Sequence, residues 1–200
     1  MKKTDRLLAA SNNRGKIAEI KHILSDVFDD VVSLLDIAIE LDTIEDGDTF
    51  EKNAVKKAEE AAEASGLPSL ADDSGLCVEA LGGRPGVFSS RYSGMGDAAN
   101  NAKLLDELKH VYGEDRRAWF ECCVALARPG LPTVTVSGVC NGVIAYKPAG
   151  GNGFGYDPLF LPDGFDKTFA ELEESEKNAI SHRKRALTAL VELLREEGDA

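Results

Sequence analysis

The chain contains no apolar run near the ~18 residues that a membrane span needs. It has no internal repeat and no low-complexity segment. Cysteine is scarce: Cys77, Cys122, Cys123 and Cys140 are the four present, and no C-x-x-C pair occurs. The three histidines, His22, His110 and His182, fall at no zinc spacing. These absences exclude a disulfide-dense scaffold and a zinc ribbon, and the thiols read as reduced ones in a cytoplasmic protein. The opening MKKTDRLLAASNN turns polar before a signal-peptide apolar region forms, which also predicts a cytoplasmic location. Positive charge is in short supply: Lys and Arg number 23 against 35 Asp and Glu, a net charge of −12. Such a surface repels phosphate polymers, so nucleic acid is not expected as a partner. One small phosphorylated ligand in a locally basic cleft stays open, as does a divalent cation held by carboxylates. Neither the Walker A pattern nor G-x-G-x-x-G occurs.

What remains is a chain of 200 residues, 43% hydrophobic and 29% charged, which is the composition of a soluble globular protein. A chain of this length buries about 70% of its unfolded surface without staples. Arg6 to Ala10 reads as a buried strand, followed by SNNRGK and a helix with Ile17, Ile20, Leu24 and Val27 at helical spacing. Val31 to Leu35 is a second strand candidate. Thr49 is placed to cap a helix from Phe50 to Ser65, ended by Gly66 and Pro68. Ser69 to Ala71 reads as a short strand running into Asp72-Asp73-Ser74-Gly75. The Gly- and Pro-rich stretch from Leu81 to Gly96 reads as an ordered loop, and Asp97 opens a helix to His110. Trp119–Ala127 and Thr133–Ala145 form an expected antiparallel hairpin. A glycine-rich loop from Gly150 to Gly155 follows. The last expected helix ends near Glu197 and turns Ile180, Leu187, Leu190, Val191 and Leu194 inward. Strands alternating with helices early and a long hairpin late predict an α/β fold with a mixed sheet.

Five segments carry residues suited to chemistry. Ser11, Asn12, Asn13, Arg14, Gly15 and Lys16 lie between a strand and a helix, where free backbone N–H groups and the positive dipole end suit a phosphate. Helix capping accounts for Ser and Asn there equally well. Asp72 and Asp73 are adjacent carboxylates that can hold Mg²⁺ or orient a water, and on a strand their side chains diverge, so one of them faces the site. A plain polar turn is the competing explanation. Glu45, Asp46 and Asp48 form a second acidic group, explained as well by a solvated loop. Asn53 and Lys57 share a helix face that can meet a phosphate, while Lys56 and Glu60 would form an ordinary i,i+4 pair. In Gly153-Phe154-Gly155-Tyr156-Asp157-Pro158 the glycines allow close backbone approach, and Phe and Tyr offer stacking faces to a planar ring. Lys177, Ser181, His182 and Arg183 place hydrogen-bond donors near the start of the last helix.

Together the blocks SNNRGK, FEKNAVKKA, LADDSGLCVEALGGRPGVFSSRYSG, GFGYDPLF and EKNAISHRKRAL, in this order, resemble the inosine triphosphate pyrophosphatase family along nearly the whole chain. The resemblance implies an elongated mixed sheet with flanking helices and two lobes around a central cleft. It implies one catalytic domain over residues 1–200 with no separable second domain, and a homodimer. The implied activity is hydrolysis of ITP, dITP and XTP to the monophosphate and pyrophosphate with Mg²⁺, which removes non-canonical purines from the nucleotide pool. Carried over residue by residue, Ser11 to Lys16 match the phosphate-contacting turn, Lys57 the helix lysine, and Asp73 the proton acceptor and metal ligand. Glu45 falls where the family carries a metal-associated acid, and Ser74 lies in the substrate-contacting turn. Phe154, Gly155, Tyr156, Asp157, Lys177, His182 and Arg183 match the nucleotide-binding segments. One position departs: Lys52 stands where the family usually has Glu in F-x-E-N-A, which leaves the metal ligands to another acid such as Glu45 or lowers metal affinity.

The chemistry expected from these residues is attack on the α-phosphorus by a Mg²⁺-activated water. Asp73 would take its proton, while Arg14, Lys16 and Lys57 would neutralise phosphate charge. Selectivity would follow from donors aimed at the 6-keto oxygen, since the adenine 6-amino group donates there instead. A Maf-like pyrophosphatase acting on modified pyrimidine nucleotides stands as the alternative enzyme. A nucleotide-binding module without turnover stands as the alternative outside enzymes.

Overall fold

The computed structural model describes residues 4–25 and 27–198, and the side chains of Thr4, Asp5 and Arg14 lie outside the described set. Strand β1 (Thr4–Ala9) is followed by helix α1 (Arg14–Leu24) and strand β2 (Phe28–Ser33). Helix α2 (Phe50–Ser65) leads into strand β3 (Ser69–Val78). Two short 3-10 segments, Glu79–Leu81 and Gly86–Arg91, precede helix α3 (Asp97–Glu107). Strands β4 (Arg117–Ala127), β5 (Val134–Ile144) and β6 (Phe160–Pro162) follow, then helices α4 (Glu174–Ile180) and α5 (His182–Gly198). The strands form a six-stranded sheet in the order β2-β1-β3-β4-β5-β6. β1 runs parallel to β2 and to β3, while β5 and β6 are antiparallel. The connection 128–133 is too short for the crossover that a parallel β4–β5 pair would need. The sheet is therefore mixed, as the alternation of elements predicts.

Local chemistry explains most boundaries. The Thr49 side chain accepts the Lys52 N–H, and Gly66, at φ +70°, closes α2 by returning its N–H to Ala62. In α1, Asn13 caps the helix by accepting from both Gly15 and Lys16 N–H. Strand β2 starts and ends earlier than the hydropathy suggests, because Asp36 turns the chain by accepting from the Ser33 N–H and hydroxyl.

Two expectations are corrected. Asp72-Asp73-Ser74-Gly75 does not follow the strand: it lies inside β3, which is buried at every position but Ser74. The two carboxylates sit in a buried strand because cations and amides from other segments satisfy them. The last helix is not continuous either. Ser181, at φ −63° and ψ 151°, is extended and separates α4 from α5. Lys177 thus sits on its own short helix, and Ile180 packs against a different apolar cluster from Leu187, Leu190 and Val191.

The chain divides into two compact units, residues 1–73, 122–138 and 183–200 in the first and 74–121 and 139–182 in the second. It passes between them four times, so neither unit is one continuous segment. In the first, Leu7, Ile20 and Leu24 pack with Leu126, Leu187 and Leu190. In the second, Leu76, Leu104, Ile144, Phe120, Phe160 and Phe169 form the core. Arg116 is buried there, and its guanidinium donates to the carbonyls of Leu108, Val111, Ile144 and Ala145. Among the described residues, no helix is long and apolar enough to cross a membrane.

Candidate active site

Asp73 is the centre of the first unit's cluster. Helix α2 brings Asn53 and Lys57 to it from one face, as their spacing of four residues requires. Asn53 Nδ2 donates to Asp73 Oδ2 at 2.9 Å, and Lys57 Nζ lies 3.7 Å from Asp73 Oδ1. The Asn53 amide is oriented from behind: the Gly47 N–H donates to its Oδ1 at 2.8 Å. A Cβ at Gly47 would stand 2.6 Å from that oxygen, so glycine is needed for the loop to come this close. Lys57 Nζ also donates to Glu45 at 2.5 Å, which puts two carboxylates on one ammonium. Burial pushes the Asp73 carboxyl above its ordinary range, against the opposing pull of Lys57 and Asn53. For Lys57 burial works the other way, but Asp73 and Glu45 outweigh it and hold the ammonium charged.

Asp72 faces away from Asp73, as strand alternation predicts. Its carboxylate accepts from Lys16 Nζ at 2.9 Å and from Arg183 Nε at 3.3 Å. Arg183 also reaches Glu19 of α1 at 3.1 Å. Burial disfavours the Asp72 anion, yet Lys16 and Arg183 overcome it and hold the carboxyl far below the usual range. Arg183, expected among the nucleotide-binding donors, is thus tied into the same network as Lys16. Cys122 Sγ lies 3.9 Å from Asp72. All four cysteines are buried, and burial with Glu121 nearby pushes the Cys77 thiol up to about 12, so no thiolate nucleophile is set up.

The SNNRGK turn caps helix α1. Ser11 Oγ accepts the Asn13 N–H, and the Asn13 side chain is committed to capping. Asn12 and Gly15 are exposed, and Arg14 opens the helix with its side chain outside the described set. Lys52 forms an exposed pair with Asp48 at 2.7 Å, and Glu51 accepts from Thr135 on β5. The acid that shares Lys57 with Asp73 is Glu45. The simple Lys56–Glu60 pair is absent: Lys56 binds Asp46 and the Ile44 carbonyl, and Thr43 donates to Glu60.

The second unit holds the other candidates. Asp157 Oδ2 accepts from the Phe154 N–H at 2.9 Å and from Lys177 Nζ at 2.5 Å. A Cβ at Gly153 would stand 2.0 Å from that same oxygen, which, with φ +75°, accounts for the glycine. Phe154 is 55% exposed, and Lys177 Nζ lies 4.8 Å from its ring centroid. Tyr156 is buried instead, with its hydroxyl donating to the Ser89 carbonyl, so the second stacking face expected there is not presented. His182 is buried and stacks on Phe120 at 4.9 Å. Ser74 is the one partly exposed residue of β3. Sequence reasoning placed Asn53 on the face of Lys57 without its contact to Asp73, and left Glu19 out of the site. An Asn on the same helix face as Lys57 was the available signal for the first, and nothing local marks the second.

The donor set fits a hard cation. Magnesium binds through one or two carboxylates and completes its shell with water and phosphate oxygens. Asp73 and Glu45, gathered on the Lys57 ammonium, supply two. Among the described residues no group of three or more His, Cys, Asp or Glu converges, so the substrate's own oxygens would have to complete such a shell.

Fold and site define an α/β protein equipped for anionic, phosphate-bearing substrates. Residues 7–193 match the Ham1 family, and the chain belongs to it. It is 51% identical over 195 residues to a dITP/XTP pyrophosphatase of Geobacter sulfurreducens, covering 96% of this chain and 98% of that one. The Bacillus subtilis dITP/XTP pyrophosphatase is 49% identical, with 94% and 96% covered. Among solved structures, the Staphylococcus aureus Ham1 protein superposes with a TM-score of 0.87 at 42% identity, covering 96% of this chain and 99% of that one.

Proposed function

We propose that this protein hydrolyses the non-canonical purine nucleoside triphosphates dITP, ITP and XTP to the monophosphate and pyrophosphate. The observation that carries the reading is the buried Asp73 carboxylate, oriented by Asn53 and flanked by Lys57 and Glu45. The relatives' activity and their near-full-length identity support it. A triphosphate brings several negative charges, and Lys16 and Lys57 meet them with fixed cations. Asp73 takes the proton of the water that attacks the α-phosphorus, and burial, by raising its basicity, suits it to that task. A bound Mg²⁺, held by Asp73 and Glu45, would supply charge neutralisation at the phosphates and polarise the attacked group.

Base recognition falls to the second cluster. Phe154 offers a ring face to the purine, with Lys177 beside it. Donors from Lys177 and His182 in the same unit would satisfy a 6-keto oxygen and oppose an adenine amino group, at about 10- to 100-fold per contact. We read residues 1–200 as one catalytic domain, which the four passages of the chain between its two units support, and the protein as a cytoplasmic homodimer.

The test is pyrophosphate release from ITP, XTP, ATP and GTP, with Mg²⁺ and with chelator. Metal-dependent release from ITP and XTP alone is the expected result. Equal release from all four, or from none, overturns the substrate assignment, and modified pyrimidine triphosphates then become the substrates to try.

A further inference from the structure

Helix α3 opens with Asp97 and carries Asn101 one turn later, and both hold Gly155. The Gly155 N–H donates to Asp97 Oδ2 at 2.8 Å. Asn101 Nδ2 donates to the Gly155 carbonyl at 2.8 Å and to the Asp97 carbonyl at 3.0 Å. One turn of one helix thus grips both backbone polar groups of a single glycine. That glycine has φ +61°, a conformation that the loop must be held in and that an L side chain rarely adopts. Its neighbour is Phe154, whose own N–H is fixed by Asp157. The two backbone N–H groups that flank the Phe154 Cα are therefore each held by a carboxylate.

Asn101 is held at a local cost. It is 8% exposed, and its Oδ1 is buried with no hydrogen-bond partner. An orphaned acceptor destabilises, and a leucine of similar size would avoid the penalty. Turning the amide over would only bring its oxygen against two carbonyl oxygens. A polar group retained against the packing preference of its surroundings is the pattern of a site, not of a core.

We propose that Asp97 and Asn101 are positioning residues for nucleoside recognition. They fix the Gly155 peptide, and with it the ring face that Phe154 offers to the base, without touching the substrate themselves. The inference rests on the reading of Phe154 as the stacking residue.

Steady-state kinetics with ITP and Mg²⁺, on Asn101→Leu, Phe154→Ala and the double variant, test it, together with inhibition by inorganic tripolyphosphate. Asn101→Leu is expected to keep or raise Tm and to raise KM about 5- to 10-fold with kcat within twofold. Tripolyphosphate inhibition stays unchanged, because that probe has no base. The double variant is no worse than Phe154→Ala, since both act through one ring. Asp97→Asn, which keeps an acceptor, retains a lower KM than Asp97→Ala. If Phe154→Ala raises KM and Asn101→Leu leaves it within twofold, the inference fails while the reading of Phe154 stands. If Phe154→Ala leaves KM unchanged, that reading fails and takes the inference with it. If Asn101→Leu lowers Tm and weakens tripolyphosphate as much as ITP, its role is general structure and the inference is overturned.

Discussion

Asp73 and Asp157 are both buried acids with a lysine at hand, and they are held in opposite ways. Asp157 touches Lys177 at 2.5 Å and a backbone N–H at 2.9 Å, and its side chain is 4% exposed. Its oxygen is used up in shaping a glycine loop. Asp73 keeps its lysine at 3.7 Å, accepts from the Asn53 amide, and leaves 12% of its side chain open. The first carboxylate is a strut. The second is oriented, more open and raised in pKa by burial, which is the condition a general base needs. A carboxylate–lysine pair therefore does not declare its role by its presence; the tightness of the pair and the openness of the acid do.

The comparison breaks most sharply at Asp73. Asp73→Asn keeps size and removes the base, and kcat is expected to fall about 10²- to 10⁴-fold. Its stability should move the other way. The folded Asp73 pKa is raised, so its contribution to stability is present below the ordinary range and lost as pH rises through the raised value. At neutral pH in chelator the variant should therefore melt at or above the wild-type Tm. A variant that turns over normally removes Asp73 from catalysis.

Asp72 is predicted to show the reverse sign. Its folded pKa is lowered, so its stabilisation is present above about 3.8 and lost as pH falls toward the lowered value. Asp72→Asn leaves Lys16 and Arg183 without the buried anion between them, at a cost of about 3–5 kcal/mol at pH 7. Urea denaturation should show that gap narrowing in acid, and a pH-independent gap would refute the electrostatic account.

The strut side is tested more gently. Gly153→Ala forces a Cβ against the Asp157 carboxylate and strains a positive φ, so KM for ITP should rise several-fold while kcat changes little. An equal loss of kcat would place the loop in the chemical step. Smallest of all is Lys52→Ala. Its pair with Asp48 is exposed on both sides, so stability should change by less than about 0.5 kcal/mol. Denaturant midpoints settle it, and a larger change would mean that the departure at this position matters to the fold.

Helix α2 was fully legible from sequence because its cap, apolar stripe and terminal glycine are local signals. The same helix disclosed that Asn53 and Lys57 share a face, though not what that face meets. Strand β3 was misread at its centre, since Asp72 and Asp73 look like turn residues until Lys16, Lys57, Asn53 and Arg183 are brought to them from segments up to 111 residues away. The break at Ser181 and the three-residue β6 escaped because they are shorter than any period that sequence can display. Tyr156 shows the opposite limit. An aromatic in a glycine loop reads as exposed, and only packing reveals that its hydroxyl is anchored on Ser89.

Arg116 and Arg183 are buried cations with different tolerances of acid. The Arg116 charge is solvated by four peptide carbonyls, which do not titrate, and by the Tyr146 ring at 4.5 Å. No carboxylate pairs with it among the described residues. The first unit, by contrast, hangs its buried cations on Asp72 and Glu19. Amide exchange followed at falling pH should therefore see protection lost first around Lys16 and Arg183, while the backbone at Leu108, Val111 and Ile144 holds. A buried cation solvated by peptide dipoles would outlast in acid one that leans on a carboxylate.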